Sequence, residues 1–373
     1  MSKDIQQLRV AIVHDWLIGG GAERVVYELH QLFPDAPIYT SCSTPGWRTA
    51  LNGKVVTGWL QYRPFFKLRK YIPFLRMWWF SRLKFKDFDL VISSSGAEAK
   101  GIKVPAGTVH VNYCHAPTHY YWSRYDEYLR NPGFGPFDPL ARIGLRLLVG
   151  PLRRWDYKAA QRPTYMIANS TYTQEQIQKY YGRDSVVVHP PVDVSRFADA
   201  AKASLTRKRR GFVIASRQTP YKRVDLAVAA CSSINVPLTV IGNGPDHAKL
   251  VAKAGPTITF LTNVTDAQMP MHLSAARAFI FPGIDDFGIT PLEAMAAGTP
   301  VIAYKVGGAV DYVIDRDTGR FFDEQTVDSL AKIVASFDER ALSRESIILK
   351  AQEFSPEIFR NNIFALIKTI VLG

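Results

Sequence analysis

The sequence predicts an α/β protein built as two similar halves, and three observations carry that reading. Its 373 residues suit two domains. Apolar strands run into turn-and-helix patterns twice, at 8–26 and again from Gly211 to Asp225. Residues 278–303 read as strand, loop, helix and strand, the alternation that builds parallel sheets. Hydrophobic residues make up 47% and aromatics 12% of the chain, enough to fill buried cores and too much for a disordered one.

The net charge of +13 favours anionic partners: nucleotides, phospholipid surfaces or nucleic acid. Cys42, Cys114 and Cys231 are far apart, with no Cys-x-x-Cys or Cys/His metal spacing. That predicts a reducing compartment and no structural zinc. Met1–Gln7 is polar and mixed in charge, which predicts no secretory leader. No apolar run approaches the roughly 20 residues that span a bilayer. The expected location is therefore cytoplasmic, free or resting on the membrane's inner face.

In the first half, Leu8–His14 reads as a buried strand and Gly19-Gly20-Gly21 as a tight turn into a helix. Glycines there let the backbone approach a ligand. The pattern is not G-x-G-x-x-G, which argues against a dehydrogenase. From Ala36 to Lys86 there is no Asp or Glu. That stretch holds Arg48, Lys54, Arg63, Lys67, Arg69, Lys70, Arg76, Arg82, Lys84 and Lys86, interleaved from Trp59 onward with aromatics such as Tyr62, Phe74 and Trp78. The composition of 59–86 suits an anionic membrane surface. Single-stranded nucleic acid, or an aromatic core under a solvated basic face, fits it too. Asp89–Ser93 and Thr108–Asn112 read as strands. His115 and His119 follow the second, at the end where open α/β sheets place ligands, although a lone His there also serves as a plain hydrogen-bonder. Asn131–Pro139 is a Pro/Gly loop, and Leu140–Ala160 a basic amphipathic helix that extends the membrane face through Arg142, Arg146, Arg153 and Arg154. Tyr165–Asn169 is a strand, and Ser170 or Thr171 caps the next helix.

The second half opens with Phe212–Ala215 as a strand. Arg217 and Lys222 follow between strand end and helix start, where they suit a diphosphate clamp or an ordinary surface pair. Leu238–Pro245 is a strand with a Gly turn, Thr259–Val264 another strand and loop, and Asp266–Ala276 a helix. Ala278–Phe281 then leads through an acidic loop to a helix near Thr290. Thr290 with Glu293 matches a capping box, and Pro291 suits the first helical position. Free N–H groups there favour an anion. Asp285 and Glu293 beside it suit a ligand with both phosphate and hydroxyls, such as a nucleotide sugar. A capped helix with a solvated aspartate gives the same pattern. Pro356–Leu372 is a final helix with Ile358, Phe359, Ile363, Phe364, Leu366, Ile367 and Ile370 on its apolar face.

Asp285-x7-Glu293, with Phe287-Gly288 inside it, resembles the E-x7-E signature of retaining glycosyltransferase family 4. Aspartate here keeps the acceptor and shortens its reach by one methylene. Gly20–Arg24 resembles that family's GGAER motif, Arg217-x4-Lys222 its R-x4-K pair, and Gly242–Pro245 its G-x-G-P segment. His115-Ala116-Pro117 resembles its H-x-P run, with His119 where Arg is usual. Val186–Asp193 resembles its interdomain hinge. The resemblance covers nearly the whole chain, most strongly 217–308.

It implies a GT-B fold: two Rossmann-like domains, 1–189 plus 357–373 and 190–356, facing a central cleft, with the last helix crossing back to the first. It implies retaining, metal-independent transfer from a nucleotide diphosphate sugar, with no cofactor. Arg217 and Lys222 would neutralise the leaving diphosphate, Glu293 hold the ribose, Asp285 the sugar hydroxyls, and His115 the sugar near its reacting carbon. Gly20 and Gly21 would approach the diphosphate or the acceptor, and the Val264 backbone the base. Phe287, Gly288, Ile289 and Thr290 would complete the donor loop. Within the family the chain is most similar to bacterial mannosyltransferases of polysaccharide and O-antigen assembly. That implies GDP-mannose, with rhamnosyl and glucosyl donors open, and a polyprenyl-diphosphate-linked glycan acceptor at the membrane rather than nucleic acid. Two other classes stay open: a sugar-nucleotide epimerase of the same fold, and a basic membrane- or nucleic-acid-binding protein.

Overall fold

A computed structural model describes residues 7–69, 71–132, 135–204 and 209–372. Lys70, residues 1–6 of the leader reading and residues 133–134 of the Pro/Gly loop lie outside them. Packing divides the chain into two compact units, 1–191 with 359–373 and 192–358.

The first unit holds β1 (Val10–His14), β2 (Ile38–Thr40), β3 (Val55–Val56), β4 (Leu90–Ser95), β5 (Val109–Cys114), β6 (Tyr165–Ala168) and β7 (Val186–Val187). They form one parallel sheet in the order β3-β2-β1-β4-β5-β6-β7. Ile12 of β1 stands opposite Ile38 on one side and Ile92 on the other. A parallel sheet covered on both faces needs continuous apolar runs, and Val10–His14 is buried at every residue. The second unit holds β8 (Phe212–Ala215), β9 (Leu238–Ile241), β10 (Ile258–Leu261), β11 (Ala278–Phe281), β12 (Val301–Tyr304) and β13 (Gly319–Phe322). Their order is β10-β9-β8-β11-β12-β13.

Both sheets follow the doubly wound order, in which the first strand lies between the second and the fourth. The protein is thus α/β with two Rossmann-like units, the GT-B fold. Where the order reverses, loops leave the strand ends in opposite directions and open a crevice. That point falls between β1 and β4 in one unit, and between β8 and β11 in the other.

Local chemistry sets the helix ends. Ser170 Oγ accepts from the Thr173 N–H at 3.0 Å, and Gly182 closes the same helix in the left-handed region, φ 59°. The last helix lays Phe359, Ile363 and Ile367 into the first unit's core beside Val25 and Leu29, and Arg360 pairs with Glu28. That i, i+4, i+8 stripe leaves Ile358 and Phe364 in solvent, so the apolar face is narrower than the sequence suggests.

The aromatic, basic stretch 59–86 divides between core and surface. Leu60, Trp79, Phe80 and Phe85 are core, while Tyr62, Tyr71, Phe74 and Trp78 are exposed. Arg76 is buried, held by Glu98 through two hydrogen bonds of 2.8 and 2.7 Å. The Asp138–Ala160 helix also departs from expectation. Arg142 donates inward to the Leu129 and Arg130 carbonyls, and Arg153 to that of Tyr121. Neither is free to face a membrane as predicted, because nearby carbonyls left without helical partners take their N–H groups.

Candidate functional site

In the second unit, the chain leaves β8 through Ser216, Arg217 and Gln218 and reaches Lys222 in a short 3-10 turn. Gln218 is buried. Its N–H donates to the Asn243 carbonyl and its side-chain amide to that of Gly242. The loop therefore lies directly on the turn after β9. A Cβ at Gly242 would stand 2.3 Å from the Ser216 oxygen, which explains glycine there. Arg217 projects into solvent.

Across the reversal point, β11 leads into Gly283–Phe287. Gly308 N–H donates to the Asp285 carbonyl at 2.9 Å, and a Cβ on Gly308 would stand 2.3 Å from Phe287 Cα. Phe287 packs against Tyr312 and Phe354, and the Tyr312 hydroxyl donates to the Phe287 and Gly288 carbonyls. So the Phe287 ring is part of the core. Fixed in this way, the Asp285 carboxylate forms an ion pair with Lys222.

The helix begins at Ile289, with Gly288 as its cap at φ 87° and no side-chain cap. The predicted capping box is not formed. Thr290 already lies inside the helix, and Pro291 sits at its third position. Glu293 instead meets Arg196, Nη2 to Oε1 at 3.3 Å. Thr290 and Glu293 line a pocket of about 230 Å³ with Ser216 and Gly242 from the ends of β8 and β9, and Thr262 and Val264 beyond β10. One wall is thus a helix N-terminus, where unpaired N–H groups attract anions.

In the first unit, Gly20 caps the Gly21–Leu32 helix. The Glu23 carboxylate turns back to accept from the Gly19 N–H at 2.9 Å, so it shapes the turn. His115 lies just past β5, its Nε2 2.7 Å from Ser94 Oγ. His14, at the end of β1, donates from Nδ1 to the Ser94 carbonyl at 2.7 Å, and the two imidazoles meet edge to face at 6.1 Å. His119 instead bonds Ser123. Buried Asp15 accepts from the Gly96, Ala97 and Ala99 N–H groups at 2.9, 3.0 and 2.7 Å, which fixes the loop after β4. Sequence reasoning missed Arg196, His14 and Ser94. The His14-Asp15 pair at a strand end was the available signal.

The second unit thus gathers Arg217, Lys222, Val264, Asp285, Gly288, Ile289, Thr290 and Glu293 around one set of strand ends. Gly20, Gly21 and His115 belong to the first unit. Among the described residues, no group of three or more His, Cys, Asp or Glu is placed to hold a metal ion, and no helix is long and apolar enough to cross a membrane.

Fold and site together define a GT-B α/β protein with a strand-end pocket walled on one side by a helix N-terminus. Residues 19–196 match the family model described as Glycosyltransferase Family 4, and residues 195–354 that described as Glycosyl transferases group 1. The two matches follow one another along the chain. A GDP-mannose-dependent alpha-(1-6)-phosphatidylinositol monomannoside mannosyltransferase of Mycobacterium tuberculosis is 33% identical over 193 residues, 44% of this chain and 50% of that protein. A D-inositol 3-phosphate glycosyltransferase of Streptomyces avermitilis is 29% identical over 210 residues, 48% of this chain and 45% of that protein. The chain spans about half the length of the curated relatives it matches. Among solved structures, Anabaena HepE in complex with UDP superposes with a TM-score of 0.68 at 16% identity, covering 97% of this chain and 100% of that one. Sucrose-phosphate synthase from Thermosynechococcus elongatus also gives 0.68, at 18% identity, covering 97% and 99%.

Proposed function

We propose that the protein is a retaining glycosyltransferase that moves mannose from GDP-mannose to a lipid-linked glycan acceptor at the inner face of the cell membrane. One observation carries this reading: the Lys222–Asp285 ion pair bridges the strand-order reversal beside a pocket walled by a helix N-terminus. The relatives' names support mannose and the GDP donor.

In this mechanism Lys222 exchanges Asp285 for the donor diphosphate, and Arg217 swings in from solvent. Asp285 is then released to accept from sugar hydroxyls, as Glu293 does from the ribose. Val264 and the loop Phe287–Thr290 offer backbone groups to the nucleotide. As the bond from C1 to the phosphate oxygen breaks, its electron pair stays on that oxygen. Arg217, Lys222 and the helix N-terminus stabilise the charge, a role that needs no metal ion. The acceptor oxygen bonds C1 on the same face and gives its proton to the leaving phosphate. The exposed aromatics and cations of 59–86 face anionic lipid.

The test is nucleoside diphosphate release from GDP-mannose, UDP-glucose and dTDP-rhamnose in excess EDTA, with the sugar anomer followed by NMR. Release from GDP-mannose with the anomer retained, lost in Arg217→Ala, supports the proposal. Inversion, or C2 epimerisation of a sugar nucleotide without release, overturns it.

A further inference from the structure

The Asp138–Ala160 helix presents two unlike sides. Val149, Leu152, Asp156, Ala159 and Ala160 are buried, with Leu152 packed against Met77 and Tyr121. On the other side, Leu140 and Leu147 are 69% and 73% exposed, Ile143 is 54%, and Phe137 just before the helix is 69%. Steps of three and four residues set these side chains in one row. A row of large apolar side chains in water marks a surface made to be covered.

The charges around the row narrow what covers it. Arg142 and Arg153 are drawn inward to backbone carbonyls, so their stems do not shield the aliphatics. Arg146, Arg154 and Lys158 are exposed. Of the helix's two acids, Asp156 is buried against Lys100 and Asp138 sits in the first turn. The Pro73–Arg82 helix, joined to this one through Met77, exposes Phe74, Leu75 and Trp78, with Arg82 stacked on Trp78. A second copy would set like charges against each other. Aliphatics that enter hydrocarbon beneath cations that stay at headgroups suit an anionic bilayer.

We propose that Phe137, Leu140, Ile143 and Leu147 insert into the headgroup–acyl boundary of an anionic membrane, and that this row is the protein's main membrane anchor. The inference rests on the reading of a membrane-borne acceptor and names the surface that reaches it.

The experiment is co-sedimentation of the full chain with phosphatidylcholine vesicles, with and without phosphatidylglycerol. Three proteins are compared: wild type, Leu140→Glu with Leu147→Glu, and Trp78→Glu. Wild type binds the anionic vesicles, and the double variant loses at least about tenfold in partitioning while calorimetry shows unchanged GDP affinity. Because all three native cysteines are buried, Leu147→Cys accepts an environment-sensitive fluorophore selectively, and its emission shifts blue on anionic vesicles. If Trp78→Glu abolishes binding and the double variant does not, the membrane reading stands and this anchor falls. If wild type ignores the vesicles, both fall, while GDP affinity still reports the donor site. A dimer in gel filtration that the double variant dissociates would show that a second copy covers the row, and overturn the proposal.

Discussion

The two units share a strand order and use charge at their strand ends in opposite ways. In the first, the Arg76–Glu98 side chains are 1% and 0% exposed, and those of Lys100–Asp156 are both 0%. The Lys100–Asp156 pair is also saturated with neutral partners: Thr118, Trp122 and Tyr181 all donate to Asp156, and Lys100 donates to the Ala97 carbonyl. In the second, Lys222–Asp285 is 20% and 12% exposed, and Arg196–Glu293 25% and 9%. A buried, saturated pair holds its loops in one arrangement, because opening it strands a charge. A pair that water reaches can change partners. Exposure, rather than residue type, separates the two kinds of pair.

The sharpest way to break this contrast is Arg76→Ala, which leaves the Glu98 carboxylate buried and alone. It is expected to cost about 3–5 kcal/mol in urea unfolding, with GDP affinity of the folded fraction unchanged. A loss within about 0.5 kcal/mol would deny the pair its scaffold role. Lys222→Ala should do the reverse. Its turnover is expected to fall about 10²–10³-fold, while unfolding shifts by at most about 1 kcal/mol, since the pair is partly solvated.

His110 extends the contrast to pH. It lies buried in β5, with Nε2 2.8 Å from Ser93 Oγ. Burial, then the charges of Arg162 and Arg183, pushes its pKa down to about 3. An unfolded histidine titrates near 6.5, so between those values the unfolded chain binds a proton that the folded one refuses. Stability should therefore fall by about 1.4 kcal/mol per unit as pH drops below about 6.5, with no contribution from His110 above it. Urea midpoints at a series of pH values, compared with His110→Gln, measure that slope. The smallest expected effect is Arg196→Gln. Losing one charge-assisted contact to Glu293 should weaken donor affinity about five- to tenfold, with turnover at saturating donor little changed.

What the sequence showed followed from local signals. Val10–His14 and Ala278–Phe281 were legible because burial on both faces demands unbroken apolar runs. Arg217 with Lys222, and Asp285 with Glu293, were legible as motifs because each pair falls in one short run of sequence leading from a strand into the helix that follows it. Their partners were not legible. Lys222 and Asp285 are 63 residues apart, and Arg196 and Glu293 are 97, distances that only strand order brings to contact. His14 and Ser94 were missed for the same reason, since they meet through the β1–β4 pairing. The helix near Thr290 starts within one residue of that position, but its cap was not legible: Gly288, at φ 87°, takes the place expected of Thr290. The 59–86 stretch was read by composition, which cannot tell buried Trp79 from exposed Trp78.

The most direct test of the central claim is calorimetric binding of GDP and UDP to wild type, Lys222→Ala and Glu293→Ala, each confirmed folded by circular dichroism. The account predicts that wild type binds one nucleotide and that both variants lose at least about tenfold in affinity at unaltered stability. Wild-type binding that survives both substitutions, or no binding of either nucleotide, would contradict it.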